Sequence, residues 1–74
     1  MAPHVTFYAK GGCPHCERER AVLVARGARF IEVDVVRHPE AIPELLKLTK
    51  GRRVVPVIVE GAQVTIAGDG VSEF

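Results

Sequence analysis

Cys13 and Cys16 stand three positions apart where a short apolar run, residues 5–9, gives way to a segment of helical character, and they are the chain's only cysteines. No other feature constrains the fold as much. A residue at a strand-to-helix junction occupies the helix N-cap, where unpaired backbone N–H groups and the helix dipole favour negative charge. Cys13 takes that position and is expected to be the thiolate. Cys16, inside the first turn, is near enough to form a strained, reducible disulfide with it. Pro14 suits the first helical position, since its missing N–H would have had no intrahelical partner and its fixed φ preorganises the turn. His15 adds an imidazole near the sulfur. Free thiols ionise near ~8.5, and cysteines so placed commonly fall to about 3.5–7.5. Because nucleophilicity falls with pKa, the shift helps Cys13 more as a leaving group than as an attacker.

Other uses of the pair fit less well. A zinc site needs four ligands, and His4 and His38 do not supply the His-x3-5-His spacing that would complete one. A structural bridge closing so small a loop stabilises little, and small disulfide-built domains carry more cysteines. The strand-then-helix context is what redox chemistry requires, with Gly11 and Gly12 turning tightly ahead of Cys13 and expected to leave its sulfur uncovered.

Seventy-four residues make one domain, residues 1–74, near the lower limit for a self-sufficient core. Aromatics are only 5% of the chain, so that core must be built from Val, Leu, Ile and Ala. Ten basic residues nearly cancel nine acidic ones, which gives no electrostatic reason to expect nucleic acid or an anionic membrane as partner. No run approaches the roughly 20 apolar residues of a membrane span, and the N-terminus lacks a signal-peptide pattern. The expected setting is a reducing cytoplasm, where a cysteine pair is more often catalytic than structural.

Along the chain, residues 4–8 alternate as a strand does, with Val5 and Phe7 on one face and Thr6 and Tyr8 on the other. Residues 14–26 read as a helix with a solvated polar first half (Glu17, Arg18, Glu19, Arg20) and an apolar, buried second half, closed by Gly27 at C′. Residues 29–35, rich in β-branched side chains, form a second strand, parallel to the first if the helix is the crossover. A second helix begins at Ile42, or at Pro39 with a kink at Pro43, presents Ile42, Leu45, Leu46 and Thr49 to one side, and stops at Gly51. His38 is read as a loop or cap residue and His4 as a strand start. Residues 54–59 are a continuous apolar run suited to a central strand, yet Pro56 cannot donate from inside one; a cis Val55-Pro56 bond at the strand's beginning accommodates it. A turn over residues 60–63 leads into an alternating strand, residues 63–66, paired antiparallel with its predecessor. Residues 67–74 read as a Gly-rich loop with at most one turn of helix.

This order, with Tyr8-Ala9-Lys10 before Cys13-Pro14-His15-Cys16, Gly51-Arg52-Arg53-Val54-Val55-Pro56, and Ile66-Ala67-Gly68, resembles the glutaredoxins of the thioredoxin superfamily. There the second and third motifs read Gly-x-Arg-Thr-Val-Pro and Ile-Gly-Gly. The resemblance spans nearly the whole chain and implies an α/β thioredoxin-like fold, a four-stranded mixed sheet in the order β-α-β-α-β-β. The sequence ends at Phe74, where relatives continue into a third helix over one sheet face, so a truncated or absent C-terminal helix is expected, with a neighbour covering that face or a marginally stable domain.

The resemblance also implies a glutathione-dependent thiol-disulfide oxidoreductase. Cys13 would be the nucleophile and Cys16 the resolving cysteine, with Pro14 and His15 completing the catalytic motif. Lys10 and an arginine at 52 or 53, Arg53 being preferred, would hold the glycine carboxylate of glutathione. Val55, before cis Pro56, would pair with the tripeptide's backbone, and the Gly68-Asp69 loop would receive its γ-glutamyl end. Glutathione is then the co-substrate, no metal is expected, and the partners of a monomer are disulfide-containing or glutathionylated proteins. A dithiol donor that does not use glutathione, of the kind serving ribonucleotide reductase, is the alternative. An iron–sulfur carrier, with two chains holding a cluster through Cys13 and glutathione, is a third reading. Three local departures stand out: Pro-His replaces the usual Pro-Tyr, Val54 replaces threonine, and the acidic residue of the last loop is Asp69, with Gly70 in its usual place. Cys-Pro-His-Cys also occurs in strongly oxidising periplasmic relatives, whose helical insertion and signal peptide are not seen here.

Overall fold

The computed structural model describes residues 5–66 and 70–74, so His4, Gly68 and Asp69 lie outside the described residues. Strand β1 (Val5–Ala9) is followed by helix α1 (Pro14–Ala25), strand β2 (Phe30–Asp34), a 3-10 turn (Pro39–Ala41) and helix α2 (Ile42–Thr49). Then come the two-residue strand β3 (Val54–Val55), β4 (Val57–Glu60), β5 (Gln63–Ile66) and a short β6 (Ser72–Glu73). The main sheet has the order β2-β1-β4-β5, with β1 parallel to β2 and antiparallel to β4, and β4 antiparallel to β5. This is the expected thioredoxin-like α/β arrangement, a mixed four-stranded sheet. Among the described residues no helix is long and apolar enough to cross a membrane.

β1 is central and almost wholly buried, as a strand flanked on both edges and covered on both faces must be. On one face Phe7, fully buried, meets Phe30 edge-on with centroids 5.9 Å apart, while the Arg20 guanidinium of α1 lies 5.8 Å from its ring. On the other face Tyr8 sits against α2; burial and then the Glu44 carboxylate push its phenol above the usual value. Leu23, Val35, Leu45, Val55 and Val57 complete a core of mainly aliphatic side chains.

Helix ends follow their local chemistry. α1 closes with a Schellman motif: Gly27 at φ 69° donates to Val24, and Ala28 donates to the Leu23 carbonyl. α2 ends one residue before the expected glycine, since Lys50 already takes a left-handed φ of 59° and Gly51 follows at 90°. Pro39 starts a 3-10 turn and Pro43 falls in the first turn of α2, so both expected starts are used, each for a different helix type. His38 occupies the cap of that turn, with Nδ1 3.2 Å from Glu40 Oε2.

Three expectations need correction. The second half of α1 is not buried: only Leu23 is, while Val22 and Val24 are 46% and 65% exposed, because consecutive residues fan out by about 100° each and only one stripe reaches the sheet. The apolar run 54–59 is not one strand. The Val55-Pro56 bond is cis and divides it into β3 and β4, which belong to different sheets. Finally, the C-terminal segment is not just a loop or helical turn: Ser72 and Glu73 form β6, antiparallel to β3, with Val54 opposite Glu73 and Val55 opposite Ser72. The short, otherwise unpaired edge of β3 is what that segment satisfies.

Candidate active site

The site lies where the end of β1, the start of α1 and the β3–β6 ladder meet. Cys13 is the N-cap of α1 in extended conformation (φ −97°, ψ 111°), and its Sγ accepts the Cys16 N–H at 3.2 Å. Its carbonyl accepts the Glu17 N–H, and Pro14 occupies the first turn. Both cysteines are free thiols.

Their surroundings drive them apart. Burial pushes the Cys13 thiol up, but the Cys16 thiol, the Ser72 hydroxyl and the backbone N–H groups of Cys16 and His15 all stabilise its charge, and the result lies below the ordinary value. For Cys16, burial acts first, and donation to the Cys13 sulfur with repulsion from its charge adds to it, so the thiol is pushed up to about 12. The turn therefore holds one thiol that ionises more readily than a free cysteine and one that keeps its proton far above the usual value. That division of labour is what a nucleophile and a resolving cysteine need.

Contrary to expectation, the Cys13 sulfur is not uncovered: the residue is only 1% exposed. Gly11 and Gly12 turn the chain as anticipated, but Ser72 closes the space above, with Oγ 3.1 Å from Sγ. The thiol donates across that gap, and the thiolate accepts from the hydroxyl. Ser72 is a contact that sequence reasoning missed; no motif marks a serine 59 positions from its partner.

The groove residues named from the sequence also converge on this segment. Lys10 Nζ donates to the Glu73 carbonyl at 2.9 Å, the Arg53 guanidinium lies 5.0 Å from the centre of the Phe74 ring, and Phe74 N–H donates to the Arg53 carbonyl at 3.2 Å. Val55 and Pro56 are buried beside it. A cavity of about 430 Å³ opens next to the ladder, lined by Arg52, Arg53, Val54, Val71, Glu73 and Phe74 among others. Buried Thr49 fixes the turn that presents the arginines, its hydroxyl lying 3.0 Å from the Leu45 carbonyl, 2.6 Å from that of Arg52, and accepting the Arg52 N–H at 3.1 Å.

His15 reaches Cys13 through its backbone N–H, while its ring packs on Gly70. Gly70 has φ +145°, and a Cβ built there would lie 2.5 Å from the imidazole Cε1. Two departures from the glutaredoxin pattern, His15 and Gly70, are therefore neighbours in space, and the glycine is what gives the ring its place.

Residues 5–64 match the glutaredoxin family model. The chain belongs to the glutaredoxin family. It is 35% identical to glutaredoxin 3 of Escherichia coli over 60 residues, which are 81% of this chain and 71% of that protein. It is 38% identical to the gene 56 protein of Mycobacterium phage L5 over 64 residues, 86% of this chain but only 61% of the phage protein. Among solved structures, the glutaredoxin Grx-1 of Archaeoglobus fulgidus superposes with a TM-score of 0.78 at 25% identity, covering 86% of this chain and 74% of that one. The Escherichia coli glutaredoxin-like protein NrdH-redoxin gives 0.74 at 28% identity, covering 85% and 80%. Membership makes this glutaredoxin-family chain a thiol-disulfide oxidoreductase.

Proposed function

We propose that the chain reduces glutathione mixed disulfides and protein disulfides, with Cys13 as nucleophile and Cys16 as the resolving thiol. The observation that carries this reading is the asymmetry within one helical turn: a Cys13 thiol lowered by four hydrogen-bond donors beside a Cys16 thiol raised to about 12. The Cys13 thiolate attacks one sulfur of the disulfide, a Cys13–substrate bond forms as the S–S bond breaks, and the other sulfur leaves as a thiolate. A second glutathione, or Cys16 after losing its proton, then attacks the Cys13 sulfur and releases the reduced substrate. Lys10, Arg53, Val55, Pro56 and the Gly68-Asp69 loop form the glutathione groove in this reading, and a monomer acts in a reducing cytoplasm on glutathionylated or disulfide-containing proteins.

Steady-state reduction of a small glutathione mixed disulfide tests it. Cys13→Ser abolishes turnover while Cys16→Ser retains it, and Lys10→Ala raises the apparent KM about tenfold if ~1.4 kcal/mol of carboxylate binding is lost. A dead Cys16→Ser together with a silent Lys10→Ala supports the second reading, a dithiol donor to protein disulfides. That reading is favoured by one observation: β3 already pairs with an extended polypeptide segment. It also agrees with the likeness to NrdH-redoxin, a protein described as having a thioredoxin-like activity profile.

A further inference from the structure

Three groups assigned to the substrate groove, and the Cys13 sulfur with them, are engaged by one segment of the same chain. Val55 stands opposite Ser72, Lys10 donates to the Glu73 carbonyl, Arg53 stacks over Phe74, and the Cys13 sulfur meets Ser72 Oγ. An accidental cover over a reactive thiol would satisfy some of these groups and leave others to water. Here an extended strand answers backbone, cation, aromatic contact and sulfur at consecutive positions, as a bound polypeptide does in strand addition.

We propose that the segment Ser72–Phe74 is an internal stand-in for an extended polypeptide substrate: Ser72 holds the place of the substrate cysteine, Phe74 that of an aromatic residue two positions later, and substrates enter by displacing it. The proposal rests on the reading of this groove as the substrate groove. It adds both a preferred substrate class, a polypeptide disulfide with the pattern cysteine, any residue, aromatic, and a competitor built into the chain. Serine in the cysteine's place lets the segment hydrogen-bond to the nucleophile without reacting with it. Among the described residues the segment is held by the β3 ladder, by the contacts of Lys10, Cys13 and Arg53, by His15 on the adjoining Gly70 and by the packing of Phe74 on the core, and none of these is a rung of the main sheet.

Two measurements free of glutathione chemistry test the occupant itself. First, Phe74→Ala, which keeps the Ser72 contact, raises the plateau rate of Cys13 alkylation by iodoacetamide several-fold, with the thiol fully ionised; an unchanged or lower rate overturns the proposal. Second, peptides Val-Cys-Glu-Phe and Val-Cys-Glu-Ala, each carrying thionitrobenzoate on the cysteine, are compared as substrates. The Phe peptide has a KM about two- to fivefold lower, the size of an exposed cation–aromatic contact, and Arg53→Ala removes the difference. Equal KM values with the intact chain overturn the substrate preference.

A crosslink reads the register. In Ser72→Cys combined with Cys16→Ser, the Cys13 thiolate attacks oxidised glutathione and releases one glutathione thiolate. The introduced thiolate then attacks the Cys13 sulfur and releases the second. Two protein thiols become one disulfide as one oxidised glutathione becomes two reduced molecules. A product lighter by two hydrogens and free of glutathione is expected; stable glutathione adducts on both thiols, with no closure, overturn the register. A chain that shows no catalytic turnover of glutathione mixed disulfides or protein disulfides, while alkylation and the single-turnover crosslink behave as stated, refutes the functional reading and leaves the occupant in place.

Discussion

β3 and β4 come from one apolar run of the sequence and lead opposite lives. β4 lies between β1 and β5, and Val57 at its start is fully buried. β3, two residues away across cis Pro56, is equally buried at Val55, but its only ladder partner among the described strands is β6. Burial alone therefore does not distinguish structural from functional strand. The difference lies in who supplies the backbone partner: for β4 the body of the sheet, for β3 a segment that can leave. The cysteines divide in the same way, since Cys16 faces the sealed interior while Cys13 is covered only with the help of Ser72.

The largest expected contrast is in native-state amide exchange. Amides of β4 exchange near the global unfolding limit, whereas those of β3 and β6 open locally and exchange roughly 100-fold faster or more; similar protection in both would erase the distinction. Next comes packing. Val57→Ala costs about 2 kcal/mol and lowers Tm by about 10 °C in so small a domain, measurable by thermal melts with matched controls. A third test concerns Cys16. The unfolded thiol ionises near ~8.5, but the folded one keeps its proton to about 12, so the folded state binds more protons between these values. Stability is therefore fully present below the lower value and declines as pH rises through this window. Chemical denaturation from pH 8 upward shows that decline, and Cys16→Ala flattens it. The smallest effect belongs to the openable side: Ser72→Ala removes one donor to the thiolate, so the pH profile of Cys13 alkylation moves to higher pH while the denaturation midpoint stays nearly constant. A profile that does not move would show that the hydroxyl bonds to the thiol and not to the thiolate.

Much of this was legible because the informative residues act locally. Cys13 at an N-cap, Pro14 behind it and Gly27 at a C′ position each report the backbone within a turn, and all fall where their chemistry put them. Pro56 marked the discontinuity in its run, but a proline cannot say that the halves pair with different partners. The over-reading of α1 has a similar origin, since a block of five small and apolar residues carries composition without periodicity. Ser72 was illegible for a different reason: its role depends on a long-range strand pairing, and a lone serine beside Glu73 carries no pattern at all.

The His15–Gly70 contact bears on the order in which this site can change. Position 70 is closed to any side chain while the imidazole lies on it, and its φ of +145° penalises replacement even in open space. Restoring an acidic residue there first is therefore harmful, whereas shortening residue 15 beforehand removes half of the conflict. The cost of a side chain at position 70 therefore depends on residue 15, and library designs that vary the two positions independently will discard combinations that a stepwise route through residue 15 would reach at a smaller cost.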